Sequence, residues 1–136
     1  MYDVYLGGIN FPEWRDSVKS QISQDIIIFD PYVPNLKSKE KIEQIAREFY
    51  FMEQCKFVVF YFNSKNTKSL RIQLGDAVSS GKQVIVCLDG KVTGKSFIEK
   101  YCEYKGVVIT KSLEELITTI EEYVSEFQLC QFEESN

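Results

Sequence analysis

The chain has 136 residues, 44% of them hydrophobic, and a formal net charge of −4. That length suits one domain with a packed core, and the apolar fraction excludes a disordered chain. Its basic residues are scattered rather than gathered on one face, which argues against nucleic acid as a partner. With no histidine anywhere, His-assisted nucleophiles and His-containing metal sites are also excluded.

In chain order, "YDVYLGG" opens the chain as a buried strand. A helix is expected over Pro12–Ser23, with proline at its first position. The run "DIIIFDP" is a weaker strand. Ser38–Gln54 repeats Ile42, Ile45, Phe49 and Met52 at helical spacing. "KFVVFYF" follows as a strand rich in β-branched and aromatic residues, without the alternation of a half-exposed sheet. Lys68–Ser80 places Leu70, Leu74, Ala77 and Val78 on one helical face and stops at Gly81. "KQVIVCL" is a buried strand, Ser96–Tyr104 a short helix and "GVVIT" a weaker strand. Ser112–Phe127 begins "SLEEL", a serine with glutamate three residues on, which is a capping-box pattern. Residues 1–128 thus form one domain, and the polar tail 129–136 is expected to be loose or donated to a neighbour.

Strands alternating with helices predict an α/β three-layer sandwich, a five-stranded parallel sheet of flavodoxin-like or Rossmann-like type. Ligands bind such sheets beyond the carboxyl ends of the strands, where strand order reverses. The positions there are Gly7, Gly8, Ile9 and Asn10, then Asp30 and Pro31, then Asn63 and Ser64, and last Asp89 and Gly90. Glycines after the first strand let backbone N–H groups approach a ligand closely.

Cys55, Cys87, Cys102 and Cys130 include no Cys-x-x-Cys pair, so no metal site is expected and the thiols read as reduced and mostly buried. No basic region followed by an apolar core marks a signal peptide, and no apolar run reaches the roughly twenty residues of a membrane span. A cytoplasmic protein without a membrane partner is expected. The adjacent aromatics Phe49, Tyr50 and Phe51 point different ways around a helix, which predicts a homodimer or larger assembly.

Four stretches, "VYLGGINFPEWRDSV", "IIIFDPYV", "REFYFMEQCKFVVFYF" and "SLRIQLGDAVSSGKQVIVCLDG", together resemble the nucleoside 2-deoxyribosyltransferase-like family and the related deoxynucleoside 5′-monophosphate N-glycosidases. The resemblance implies cleavage of the N-glycosidic bond of a deoxynucleoside or its monophosphate, without a cofactor. A glutamate in a Glu-Leu-Gly triplet attacks the anomeric carbon in such proteins, and a second acid helps protonate the leaving base. The second acid maps to Glu48. The nucleophile slot holds Gln73, in "QLG", and the aspartate before the third strand is replaced by Lys56. Tyr5, Gly7, Gly8, Trp14, Arg15, Asp30, Pro31 and Asn63 are the implied substrate-binding residues. Asp76, three residues after Gln73 on the same helical face, is a substitute carboxylate with the wrong reach.

A glutamine amide keeps the shape of glutamate but is a far poorer nucleophile. Three readings of Gln73 follow. The chain is an inactive, nucleotide-sensing or sequestering relative; or an enzyme carrying a Glu-to-Gln change that traps substrate; or a variant in which Glu48 alone activates water.

Overall fold

The computed structural model describes residues 2–8, 12–33, 38–63 and 67–135. Ile9, Asn10 and Ser64, named above at the strand ends, lie outside the described residues. The elements are β1 (Tyr2–Gly8), α1 (Pro12–Gln21), β2 (Ile28–Phe29), α2 (Ser38–Gln54), β3 (Cys55–Phe62), α3 (Lys68–Ser79), β4 (Gln83–Leu88), α4 (Lys95–Lys105), β5 (Val108–Thr110) and α5 (Leu113–Ser135). All strand pairs are parallel, in the order β2-β1-β3-β4-β5. The fold is a three-layer α/β sandwich of Rossmann-like or flavodoxin-like type, as the alternating pattern predicts.

Side chains of a strand alternate between the faces of the sheet, and the sandwich is built from that alternation. Val4, Leu6, Phe57, Val59 and Tyr61 point to one face, where Trp14 and Val18 of α1 and Leu116, Ile120 and Val124 of α5 cover them. Tyr5, Val58, Phe60 and Phe62 point to the other, where Met52 of α2, Leu70 and Leu74 of α3, and Ile98 and Cys102 of α4 cover them. With both faces buried, the central strands need unbroken apolar runs, and "KFVVFYF" supplies one.

Local signals act where the sequence places them. Ser112 Oγ accepts the Glu115 N–H at 3.1 Å, and the Glu115 carboxylate accepts the Lys111 N–H at 3.2 Å, so the capping box closes one residue further back than the simple motif. Gly81, at φ 77°, ends α3 in the left-handed conformation, with its N–H on Val78 O and the Lys82 N–H on Ala77 O. Two elements differ from expectation. β2 has two residues rather than the whole of "DIIIFDP", because Ile27 is spent on Asp3: its N–H is donated to the Asp3 carboxylate and its carbonyl accepts the Asp3 N–H. Helix α5 runs on to Ser135 through the segment expected as a loose tail, since no glycine or proline interrupts it.

Candidate active site

At the carboxyl ends of β1 and β3 the chain leaves the sheet in opposite directions, β1 toward α1 on one face and β3 toward α3 on the other. The crevice this opens is the ligand position of open α/β sheets. On the α2–α3 side of it, Gln73 Nε2 donates to Glu48 Oε2 at 3.5 Å. Glu48 comes from the third turn of α2 and Gln73 from the second turn of α3, so two helices separated by a whole strand deliver the pair. Both side chains are half-buried.

Burial raises the pKa of Glu48 above the ordinary carboxylate value. Hydrogen bonds from Gln44 and Gln73 and the charges of Arg15 and Arg47 work against that rise without cancelling it. Tyr5 is 1% exposed in the neighbouring core, and burial, with the Glu48 charge adding to it, pushes its phenol well above the usual range. Tyr5 therefore stays protonated, able to donate at neutral pH. Gly7 packs against Phe60 and the Val59 carbonyl, where a Cβ would come within 3.0 Å of both, so glycine at this position answers to the core.

Arg15 closes the end of β1. It is 2% exposed. One guanidinium nitrogen donates to Leu6 O at 2.8 Å and to Asp30 Oδ1 at 2.7 Å, and the other to Gly8 O at 2.8 Å. Lys19 adds a second cation on Asp30 Oδ2 at 2.8 Å. Although burial raises the Asp30 carboxyl, hydrogen bonds from Lys19 and the Tyr32 N–H, with the Arg15 charge, bring it below its usual value. Pro31 is buried, and its carbonyl accepts Gln44 Nε2 at 2.7 Å. Arg15 and Asp30 are thus a clamp holding the tips of β1 and β2 together.

On the opposite side of the crevice, Trp14 stacks on Tyr61 with ring centroids 4.8 Å apart. Its six-membered ring lies where a side chain on Gly8 would stand, since a Cβ there would fall 2.3 Å from Trp14 Cζ2. Gly8 is therefore required by Trp14 at van der Waals range. Tyr61 donates to Asp89 Oδ2 at 2.5 Å, and burial, with that bond and the Asp89 charge, pushes the Tyr61 phenol well above its usual range.

The sequence-derived residues thus divide. Tyr5, Gly7, Glu48 and Gln73 border the α2–α3 side, Trp14, Asn63 and Gly8 the α1–α5 side, and Arg15, Asp30 and Pro31 the strand tips between. Asp76 is exposed on α3, one turn past Gln73. Lys56 is at the amino end of β3, paired with Asp3 at 4.0 Å and away from the crevice. Sequence reasoning missed Gln44, which stands four residues before Glu48 on one helical face, and Lys19, four after Arg15; that spacing was the available signal. Cys55, Cys87 and Cys102 are buried and free, their thiols pushed up to about 11 by burial. Among the described residues there is no group of acidic or cysteine side chains that could hold a metal ion, and no helix long and apolar enough to cross a membrane.

A parallel five-stranded sheet covered by helices on both faces, with a partly buried Glu–Gln pair carried by α2 and α3, defines a three-layer α/β domain of Rossmann-like or flavodoxin-like class. Within it, the family model described as nucleoside 2-deoxyribosyltransferase-like matches residues 1–91, and the chain belongs to that family. No curated protein matches the chain.

Proposed function

We propose that the α2–α3 side of the crevice binds a deoxynucleoside or its 5′-monophosphate at the N-glycosidic bond, and that Gln73 leaves this site without a covalent nucleophile. The observation that carries the proposal is the 3.5 Å contact between Gln73 and Glu48. Two side chains from different helices meet, a retaining N-glycosyl transfer needs a nucleophile and an acid side by side, and one of these two is an amide. A carboxylate can bond to the anomeric carbon and offset the positive charge that grows there; an amide does neither well. Glu48, its pKa raised, remains suited to proton exchange with a base or a water.

The result is a site that binds and turns over slowly. The same amide favours a second reading, a sensor or sequestering protein with no turnover. Calorimetric titration with a panel of deoxynucleosides and their monophosphates, alongside a chromatographic assay of released base, tests both. Binding with slow release supports the impaired enzyme, binding without release supports the sensor, and no binding by any member refutes the proposal.

The active form is proposed to be a homodimer or larger assembly. Ile42 and Ile45 of α2 and Ile72 of α3 are 74%, 51% and 69% exposed on the two helices that carry the Glu48–Gln73 pair, and such surface is ordinarily covered. Light scattering at micromolar concentration checks this, with a strict monomer as the refuting result.

A further inference from the structure

The α1–α5 side of the crevice has no part in the function proposed above. It holds a recess of about 270 Å³ lined by Glu13, Trp14, Ser17, Tyr61, Asn63 and Leu113. Two of these lining residues each carry a polar atom that is buried without a hydrogen-bond partner, the donor Trp14 Nε1 and the acceptor Asn63 Oδ1. Tyr61 gives its only proton to Asp89 and so has none to offer Asn63 Oδ1. The Asn63 carbonyl oxygen is the atom left without a partner. Trp14 is 3% exposed and held between the Tyr61 ring and Gly8, so its N–H cannot swing out to water. A phenylalanine would fill the same slot without an orphaned donor. Buried polar groups are ordinarily paired, and an unpaired donor and acceptor on two residues that line one recess point to a ligand that matches both.

Charge and size narrow that ligand. Among the described residues the lining contains no lysine or arginine, Glu13 is in the wall, and Asp89 stands behind Tyr61, so the described wall offers an anion no counter-charge. The volume falls just below the roughly 300 Å³ at which pockets for drug-sized ligands begin, which suits a single ring system better than a whole nucleotide. Trp14, Tyr61 and Leu113 give it apolar edges to lie against.

We propose that this recess is a second ligand site, separate from the Glu48–Gln73 cleft, for a small uncharged ring molecule that places a carbonyl oxygen on Trp14 Nε1 and an N–H on Asn63 Oδ1. A nucleobase lactam and a primary carboxamide both carry that edge. The chain has one tryptophan, so the indole N–H gives a single NMR cross-peak that reports on the site directly. Uracil, hypoxanthine and nicotinamide are titrated separately into the ¹⁵N-labelled chain up to millimolar concentration. The expected result is a saturable shift of the indole cross-peak. Response to uracil or hypoxanthine alone assigns the site to lactams, and response to nicotinamide alone assigns it to carboxamides. 1,3-Dimethyluracil, which keeps the carbonyls and lacks the N–H, should bind at least about tenfold more weakly than uracil if lactams are taken, as should any responding probe to Asn63→Ala. Trp14→Phe, followed by calorimetry, should show a comparable loss. Should Asn63→Ala or Trp14→Phe fail to fold, the dimethyluracil comparison for a lactam, or N,N-dimethylnicotinamide against nicotinamide for a carboxamide, decides on the unaltered chain. No saturable shift with any probe overturns the proposal, as does equal affinity for the methylated probe. Loss of the response in Glu48→Gln would place the ligand in the nucleoside cleft and overturn a separate site, whereas an unchanged response upholds it whatever becomes of the nucleoside reading.

Discussion

The Gln73→Glu change puts a second carboxylate within reach of the first. With oxygens near the 3.5 Å that now separates Gln73 Nε2 from Glu48 Oε2, two negative charges repel by about 5 kcal/mol at an effective dielectric of about 20. That corresponds to between three and four pKa units, and water reaching the half-buried pair reduces it to roughly two to three. Glu48 already titrates above its ordinary value because of burial. The pair should therefore hold one shared proton across neutral pH and titrate as a unit. One carboxylate is then free to attack the anomeric carbon while the other delivers the proton to the leaving base. Removing a nucleophile typically costs several powers of ten, so installing one in an otherwise intact site should raise base release by at least about a hundredfold. Chromatography of free base from deoxynucleosides and their monophosphates, over pH 4 to 9, is the assay. The profile should be bell-shaped, and adding Glu48→Gln to Gln73→Glu should remove most of the gain. Were Gln73→Glu to release no base and leave ligand affinity unchanged, Gln73 would be an ordinary helix residue and the nucleophile-slot reading would fall.

Further expectations concern stability. A carboxyl whose folded-state pKa is raised contributes stability that is full below its unfolded pKa and lost as pH rises through the folded one. Glu48→Gln should therefore stabilise the chain at pH 7 relative to its effect at pH 4, measured by urea denaturation at both; an equal effect at the two would refute the raised pKa. Asp30 is the opposite case, its carboxyl held low, so its contribution is present above the unfolded pKa and lost as pH falls through the folded one. Asp30→Asn should cost stability at pH 7 and progressively less in acid. Arg15→Met strands Asp30 with only Lys19 as counter-charge and leaves two strand-end carbonyls without their donor, and should cost about 3 kcal/mol, at the low end for a broken buried pair. Gly8→Ala forces the Trp14 ring to move and should cost about 1–3 kcal/mol, with a shift in tryptophan emission.

Much of this architecture was legible because its signals are local. Helical spacing in "KIEQIAREFYFMEQ" and the apolar run "KFVVFYF" each specify an element without help from the rest of the chain. The edges were less legible. Whether Ile26 and Ile27 join β2 depends on Asp3, more than twenty residues away, which draws Ile27 into a side-chain hydrogen bond. The tail was read as loose from its polarity, but helix continuation depends on the absence of a breaker, and α5 meets none before Ser135. In the crevice, the pairing of Glu48 with Gln73 was legible as a motif, while the side of the sheet each residue serves was not. That depends on strand phase: Tyr5 and Trp14 stand nine residues apart yet face opposite layers, because β1 sends successive side chains to opposite sides and α1 lies on one of them.

The identity of residue 73 also decides what Glu48 is. Through its amide nitrogen Gln73 donates to Glu48, and a donor to the charged form lowers a carboxyl pKa. The rise that burial imposes on Glu48 is thereby partly reversed by Gln73, together with Gln44 and the two arginines. A glutamate at 73 would act in the other direction, pushing a proton onto the pair. The amide thus favours an ionised Glu48, an acceptor for a ligand hydroxyl or a weak base toward water. The carboxylate would favour a protonated partner, an acid toward a leaving base. One atom changed in the side chain, nitrogen for oxygen at nearly constant volume, should therefore leave the packing of α2 against α3 intact while exchanging an ionised Glu48 for a pair that shares a proton. On the proposed function, Gln73→Glu should therefore change base release far more than ligand affinity.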